Sequence, residues 1–360
     1  MNKLTLLTLG ASIFAMGAFA EEEKKLNIYN WSDYIAEDTI EKFTAETGIE
    51  VTYDVFDSNE VLEAKMLTGS TGYDIAVPTG DFFERQIAAG VYAPLNKDLL
   101  PNLANMDPDL MAAAAHHDAD NAHGVIYMWG TTGFGYNVAK VEEALGADAP
   151  LDSWALIFDP ANAEKLKDCG ITILDGPTEV IPSALSYLGL DPNSNEPDDI
   201  AKATELLTAI QPYVRYFHSS QYIDDLAAGE VCVSVGWSGD VFQAADSAAD
   251  GVEIAYTIPK EGALQWFDML AIPADAPHPE NAHKFINFVM DAQITADITN
   301  YVWYANGNLA SLPLVDAEIT GDPGIFPTEE VKAKLWTATV RDAAQSRLIN
   351  EAWANIKAGN

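Results

Sequence analysis

Apolar and polar positions alternate between two periods along the first ninety residues. Strand-like runs at Leu26–Tyr29 and Glu50–Phe56 flank an amphipathic helix pattern over Glu37–Thr47, which Gly48 stops. Asp57 or Ser58 caps a second helix to about Leu67, with Glu60 placed for a capping box. Gly69–Gly72 reads as a turn. Tyr73–Val77 reads as a buried strand broken by Pro78, and a helix follows from about Asp81 to Ala89, ended by Gly90. Strands alternating with helices in this way predict a mainly parallel sheet flanked by helices.

Tyr127–Tyr136 is rich in glycine and threonine between aromatics, and reads as an extended crossover with flexible points. A second α/β pattern follows. Its strands lie near Ile171–Leu174 and Val231–Gly236, and its helices near Glu179–Leu188, Ile200–Ile210 and Tyr222–Ala228. The chain closes with helix patterns around Pro279–Met290, Ile294–Thr299, Thr328–Thr337 and Arg341–Ile356. A length of 360 residues suits about two domains.

The N-terminus adds a compartment. Lys3, an apolar run from Leu4 to Phe19 and the small-x-small Ala18-Phe19-Ala20 make residues 1–20 a signal peptide cleaved near Ala20. No other apolar stretch approaches membrane length. An exported chain with two cysteines, Cys169 and Cys232, can close one disulfide or keep two buried thiols. No CxxC is present, so redox chemistry is not indicated.

Charge narrows the ligand. With 19 Lys+Arg against 55 Asp+Glu, the formal net charge is −36. This excludes nucleic acid as a partner and disfavours anionic membrane surfaces. The arginines are four, Arg85, Arg215, Arg341 and Arg347. So few guanidinium forks also disfavour an anionic small molecule. Most of the acidity reads as solvated surface, and at 48% hydrophobic residues the chain has enough apolar mass for a sizeable core.

Cofactor and nucleophile patterns are weak. Gly130-Thr131-Thr132-Gly133-Phe134-Gly135 lacks the lysine and spacing of a phosphate loop, and Gly236-Trp237-Ser238-Gly239 lacks the last glycine of a nucleophile elbow. The run His116-His117-Asp118-Ala119-Asp120-Asn121-Ala122-His123 reads as a polar surface loop rather than a metal site. No metal or cofactor is expected.

The strongest constellation is a set of acids beside aromatics at strand ends or within a strand. These are Trp31 with Asp33, Phe82 with Asp81, Trp237 with Asp240, and Trp266 with Asp268, joined by Glu179 and Tyr304. Carboxylates and aromatic faces together suit an organic cation, the acids pairing with ammonium groups and the rings covering methylenes. A linear polyamine needs such a slot. Paired acids among aromatics also fit a sugar binder or an exported glycoside hydrolase.

Several longer runs carry a resemblance. They are IYNWSDYI from Ile28, YDVFDSNEVLEAKMLTGSTGYD from Tyr53, YMWGTTGFGYN from Tyr127, YFHSSQYIDDLAAGEVCVSVGWSGDV from Tyr216 and YTIPKEGA from Tyr256. From about Leu26 to the C-terminus the chain resembles the periplasmic polyamine-binding proteins of bacterial ABC importers, most closely their putrescine-binding branch. The resemblance implies a two-lobed α/β binding-protein fold of type II, each lobe a mainly parallel sheet flanked by helices, with the ligand cleft between. One lobe would hold roughly 26–132 plus 257–305, the other 133–256 plus 306–360. It implies a non-enzymatic, monomeric periplasmic receptor that delivers spermidine or putrescine to a membrane permease.

Carried over position by position, the ligand set is Trp31, Ser32, Asp33, Tyr34, Thr79, Asp81, Phe82, Glu179, Ser219, Trp237, Asp240, Trp266, Asp268 and Tyr304. Asp33, Glu179, Asp240 and Asp268 would take the ammonium groups. Trp31, Trp237, Trp266 and Tyr304 would line the alkyl chain. Cys169 and Cys232 match the family's disulfide pair. Two positions depart from the branch's pattern. Thr79-Gly80-Asp81-Phe82 stands where Ser-x-Ser-Phe is usual, and Trp266 stands where a phenylalanine is usual. An extra acid and a larger ring lean the expectation toward spermidine.

Overall fold

The computed structural model describes residues 22–359. The expected signal peptide therefore lies outside the described residues. Ten strands form one curled sheet: β1 (Lys25–Trp31), β2 (Glu50–Phe56), β3 (Ile75–Ala76), β4 (Gly124–Asn137), β5 (Ile171–Ile173), β6 (Val214–Phe217), β7 (Val233–Trp237), β8 (Ile254–Thr257), β9 (Leu264–Ala271) and β10 (Ala305–Asn306). Their order is β2-β1-β3-β9-β4-β7-β5-β6, with β8 and β10 also paired to β4.

The sheet is mixed, where alternation alone suggested mainly parallel. Two parallel blocks are present, β2-β1-β3 and β7-β5-β6. Between them β9 and β4 run antiparallel to each other, β3 meets β9 antiparallel and β4 meets β7 antiparallel. Two long strands carry the chain between the blocks, outward along β4 and back along β9. Those crossings must run in opposite senses.

Each block has its own apolar core. The first gathers Leu26, Ile28, Phe43, Ile75, Phe83, Phe285 and Ile298. The second gathers Phe134, Trp154, Phe158, Ile171, Leu185, Tyr222 and Trp353. Strand β4 is buried along all 14 residues and feeds both, Val125–Trp129 into the first core and Phe134 and Tyr136 into the second. Trp237 packs against both cores. The glycines of β4 are closely packed. A Cβ on Gly130 would lie 2.7 Å from the Trp266 ring, so the residue is small to admit a neighbour.

The first turns follow the sequence closely. The helix Thr39–Thr47 ends at Gly48, which takes a left-handed φ of 69°. The helix Asn59–Met66 is capped by Ser58, whose side chain accepts from Val61 N–H. No capping box forms with Glu60, because Ser58 rather than Asp57 is the cap and Val61 takes the third position.

The C-terminal region differs more. Only Glu329–Lys332 is helical within 328–337. Beyond it, Trp336 pairs with β9: its N–H donates to Ala263 O at 3.1 Å and its carbonyl accepts from Gln265 N–H at 2.8 Å. Sheet hydrogen bonds replace the helical ones there. Val315, Ile319, Ile325 and Ala338 join the first core, and only the last helix, Ala343–Ala358, packs Ile349 and Trp353 into the second. The stretch after 306 is thus shared between the cores, rather than belonging wholly to the second.

Cys169 and Cys232, just ahead of β5 and β7, form a disulfide with Cα atoms 5.5 Å apart. Among the described residues no helix is long and apolar enough to cross a membrane.

Candidate functional site

A cavity opens where the carboxyl ends of both parallel blocks face each other, the place such sheets offer to ligands. From the first core come Trp31 at the end of β1, Tyr34 just beyond it, and Thr79, which immediately precedes the helix Gly80–Ala88. Strand β9 adds Trp266 and Asp268, and Thr79 forms an isolated bridge with Asp268. From the second core come Glu179 in the first turn of the helix Pro177–Tyr187, Trp237 at the end of β7, and Asp240 in the first turn of the helix Ser238–Asp246.

Three acids here are built alike. Asp268 accepts from Tyr34 Oη at 2.8 Å and from Thr79 Oγ1 at 2.6 Å. Asn59 braces Thr79 in turn, its Nδ2 donating to Oγ1 at 2.9 Å. Asp240 accepts from Tyr222 Oη at 2.7 Å and from Tyr304 Oη at 2.6 Å. Glu179 accepts from Thr132 Oγ1 and from Trp237 Nε1, the latter 2.9 Å from both carboxylate oxygens. None of the three is ion-paired to a lysine or arginine among the described residues. Burial pushes each of them up to about 7, although those donors favour the charged form. A buried carboxylate without a cation is costly unless something positive arrives.

Aromatic rings wall the same space. Trp31 meets Trp237 edge-on, with centroids 5.5 Å apart, and so spans the two cores. Tyr304 packs against Tyr34 at 5.0 Å and Trp266 at 5.4 Å. A Cβ on Gly239 would lie 2.3 Å from the Tyr304 ring, so that glycine lets the tyrosine reach Asp240.

Of the fourteen expected residues, twelve line this cavity: Trp31, Ser32, Tyr34, Thr79, Asp81, Phe82, Glu179, Trp237, Asp240, Trp266, Asp268 and Tyr304. Asp33 does not. It is exposed, has a left-handed φ of 54°, and borders a separate surface depression with Asp224 and Trp303, although its charge still acts on Asp240. Ser219 is buried away from the cavity, its Oγ accepting from Asp175 N–H at 3.2 Å.

Other lining residues stood outside the expected ligand set, among them Asn59, His117, Thr178, Gln265 and Ala338. His117 corrects the surface reading of its segment. It is buried against Gly80, with Nδ1 3.0 Å from Glu84 Oε2. Asp118 beside it is also buried and accepts from the His123 and Gly124 amides. Glu60, freed from its expected capping role, is pushed by burial up to about 7 and adds negative charge facing Glu179.

Two cores, a crossing sheet and a cavity between facing strand ends define a two-lobed binding protein. The model of the family "Bacterial extracellular solute-binding protein" matches residues 38–328, and the chain belongs to that family. It is 52% identical to the putrescine-binding periplasmic protein PotF of Escherichia coli, over all of this chain and 99% of that protein. It is equally 52% identical to the putrescine-binding periplasmic protein SpuD of Pseudomonas aeruginosa, over 99% and 98% of the two chains. A solved spermidine/putrescine ABC transporter structure from Listeria monocytogenes superposes with a TM-score of 0.84 at 33% identity, covering 93% of this chain and 99% of that one. This family consists of solute receptors and not enzymes, which sets aside the hydrolase reading.

Proposed function

We propose that the protein is a periplasmic receptor for linear polyamines of the putrescine class, which it delivers to an ABC-type import permease. The observation that carries this reading is the trio Asp240, Asp268 and Glu179, buried without protein cations inside an aromatic wall. Ammonium groups would supply the missing charge, and the rings of Trp31, Trp237, Trp266 and Tyr304 would cover the methylenes between them. The names of the close relatives support the same ligand class and a permease partner. The two cores act as lobes that close over the ligand, with β4 and β9 among the connections between them. The leader directs export and is removed near Ala20, and the receptor works as a monomer.

The test is a thermal-shift series on ligand-stripped protein with putrescine, spermidine, amino acids and sugars. A polyamine at about 100 times its Kd stabilises by about 2.7 kcal/mol. Stabilisation by a sugar or amino acid, with none from either polyamine, overturns the reading.

A further inference from the structure

Among the titratable side chains that line the cavity, His117 is neither an acid nor a phenol. It sits in the turn after the helix Pro108–Ala114, its backbone N–H donating to Ala114 O at 2.9 Å. The residue is 7% exposed. Its ring lies along the helix Gly80–Ala88, where Gly80 and Glu84 share a face one turn apart. Nδ1 is 3.0 Å from Glu84 Oε2. The other edge turns to Gly80: a Cβ on that glycine would lie 2.5 Å from Cδ2 and 2.8 Å from Nε2. Gly80 lines the cavity beside His117. The His116 ring packs edge-on with its centroid 5.2 Å away and holds the imidazole from a further side.

These contacts set the tautomer. A carboxylate has no proton to give, so the hydrogen bond to Glu84 places the proton of the neutral ring on Nδ1. Nε2 is then a lone-pair acceptor, and among the described residues no donor meets it. The buried acids differ in this respect. Asp268, Asp240 and Glu179 already accept from protein hydroxyls or an indole. A buried acceptor in a cavity wall with no partner of its own is open to a donor on the ligand.

We propose that His117 is a further ligand-binding residue, its Nε2 accepting an N–H from a polyamine ammonium group at the Gly80 side of the cleft, with Glu84 as the positioning residue that keeps the proton on Nδ1. This rests on the polyamine reading above. A primary ammonium carries three donors, so a carboxylate alone leaves N–H groups to satisfy. A neutral imidazole meets one of them directionally and adds no further negative charge to the cavity.

The test joins NMR of the histidine ring nitrogens to calorimetric titration of the ligand-stripped full chain with putrescine and spermidine. The His117 signals are assigned by their loss in His117→Gln. In the ligand-free chain the proton should sit on Nδ1, and the Nε2 resonance should move when an amine saturates the protein. His117→Phe keeps a ring but no acceptor, and should weaken the tighter-bound amine by about tenfold. His117→Gln, whose amide oxygen can stand near the place of Nε2, should hold it within about threefold. A proton on Nε2 in the free chain, or an Nε2 resonance that neither amine moves, overturns the proposal even where His117→Phe fails to fold. So does a folded His117→Phe that binds both amines within about threefold of wild type. A wild type that binds neither amine would instead overturn the polyamine reading itself.

Discussion

Asp268 and Asp81 occupy the same core and the same cavity, one bridged to Thr79 and the other two residues beyond it, yet their environments are opposite. Asp268 is held by two hydroxyls and meets no protein cation. Asp81 has no such hydroxyls and feels the positive charge of Arg85, four residues along its own helix. Burial raises both, but only at Asp81 do neighbouring positive charges pull the other way. Presence in a cleft therefore does not make an acid a ligand group. What matters is whether its charge is already answered. Hydroxyls orient a carboxylate and leave its charge to be neutralised by something else. A guanidinium leaves less for a ligand to do.

The sharpest way to break this comparison is to neutralise the acid that has no protein cation. Asp268→Asn keeps the shape but removes the charge expected to meet an ammonium group. Truncating one partner of a buried, hydrogen-bonded charge pair costs about 2–5 kcal/mol, which is roughly 30-fold to several thousand-fold in Kd. Titration calorimetry with putrescine should show at least the lower figure. A loss under threefold would mean that Asp268 is no more engaged than Asp81.

A pH series sharpens the same contrast. Asp268, Asp240 and Glu179 stand at about 7 in the ligand-free fold, against ordinary values of 3.8 for aspartate and 4.5 for glutamate. Their folded values are raised, so between about pH 4 and 7 the folded state binds protons that the unfolded chain has released. These three groups therefore make ligand-free stability fall as pH rises through that window. Ligand binding has the opposite sign. An ammonium ion pairs with the deprotonated acid, so putrescine affinity should rise from pH 5 to pH 8, by up to about tenfold per pH unit for each acid that must first lose its proton. Thermal melts at both values, with and without putrescine, should show a larger ligand-induced shift at pH 8. Equal shifts would mean that the trio is already ionised without ligand.

Much of this site could be read from residue order, because strand-end rules and aromatic neighbours mark Trp31, Trp237, Asp240 and Asp268 locally. What escaped depends on distance or on direction. His117 sits in a segment of Asp, Asn and Ala that looks solvated, and only packing against Gly80 turns it inward. Ala338 follows a stretch patterned as helix, and pairing of Trp336 with β9 is what carries that stretch past the cavity. Asp33 stands outside the cavity wall, and this too was not legible in the residue order. It holds a left-handed φ of 54°, and sequence does not display φ. The fold shows the same limit: local order gave both parallel blocks, but not the antiparallel crossing that joins them.

Asp33 supplies the smallest expected effect. It is exposed and lies outside the cavity wall, so its influence on a bound cation acts through solvent and is screened within about 8–10 Å at ordinary salt. Exposed charges of this kind contribute about 0–1 kcal/mol. Asp33→Asn should therefore leave putrescine Kd within about fivefold at 150 mM salt, and most of that difference should vanish at 1 M. A loss of tenfold or more that survives high salt would place Asp33 against the ligand itself. The closed, loaded form would then have to bring the turn at residue 33 inward from where it stands, and the division between answered and unanswered acids would have to be drawn again with Asp33 on the ligand's side.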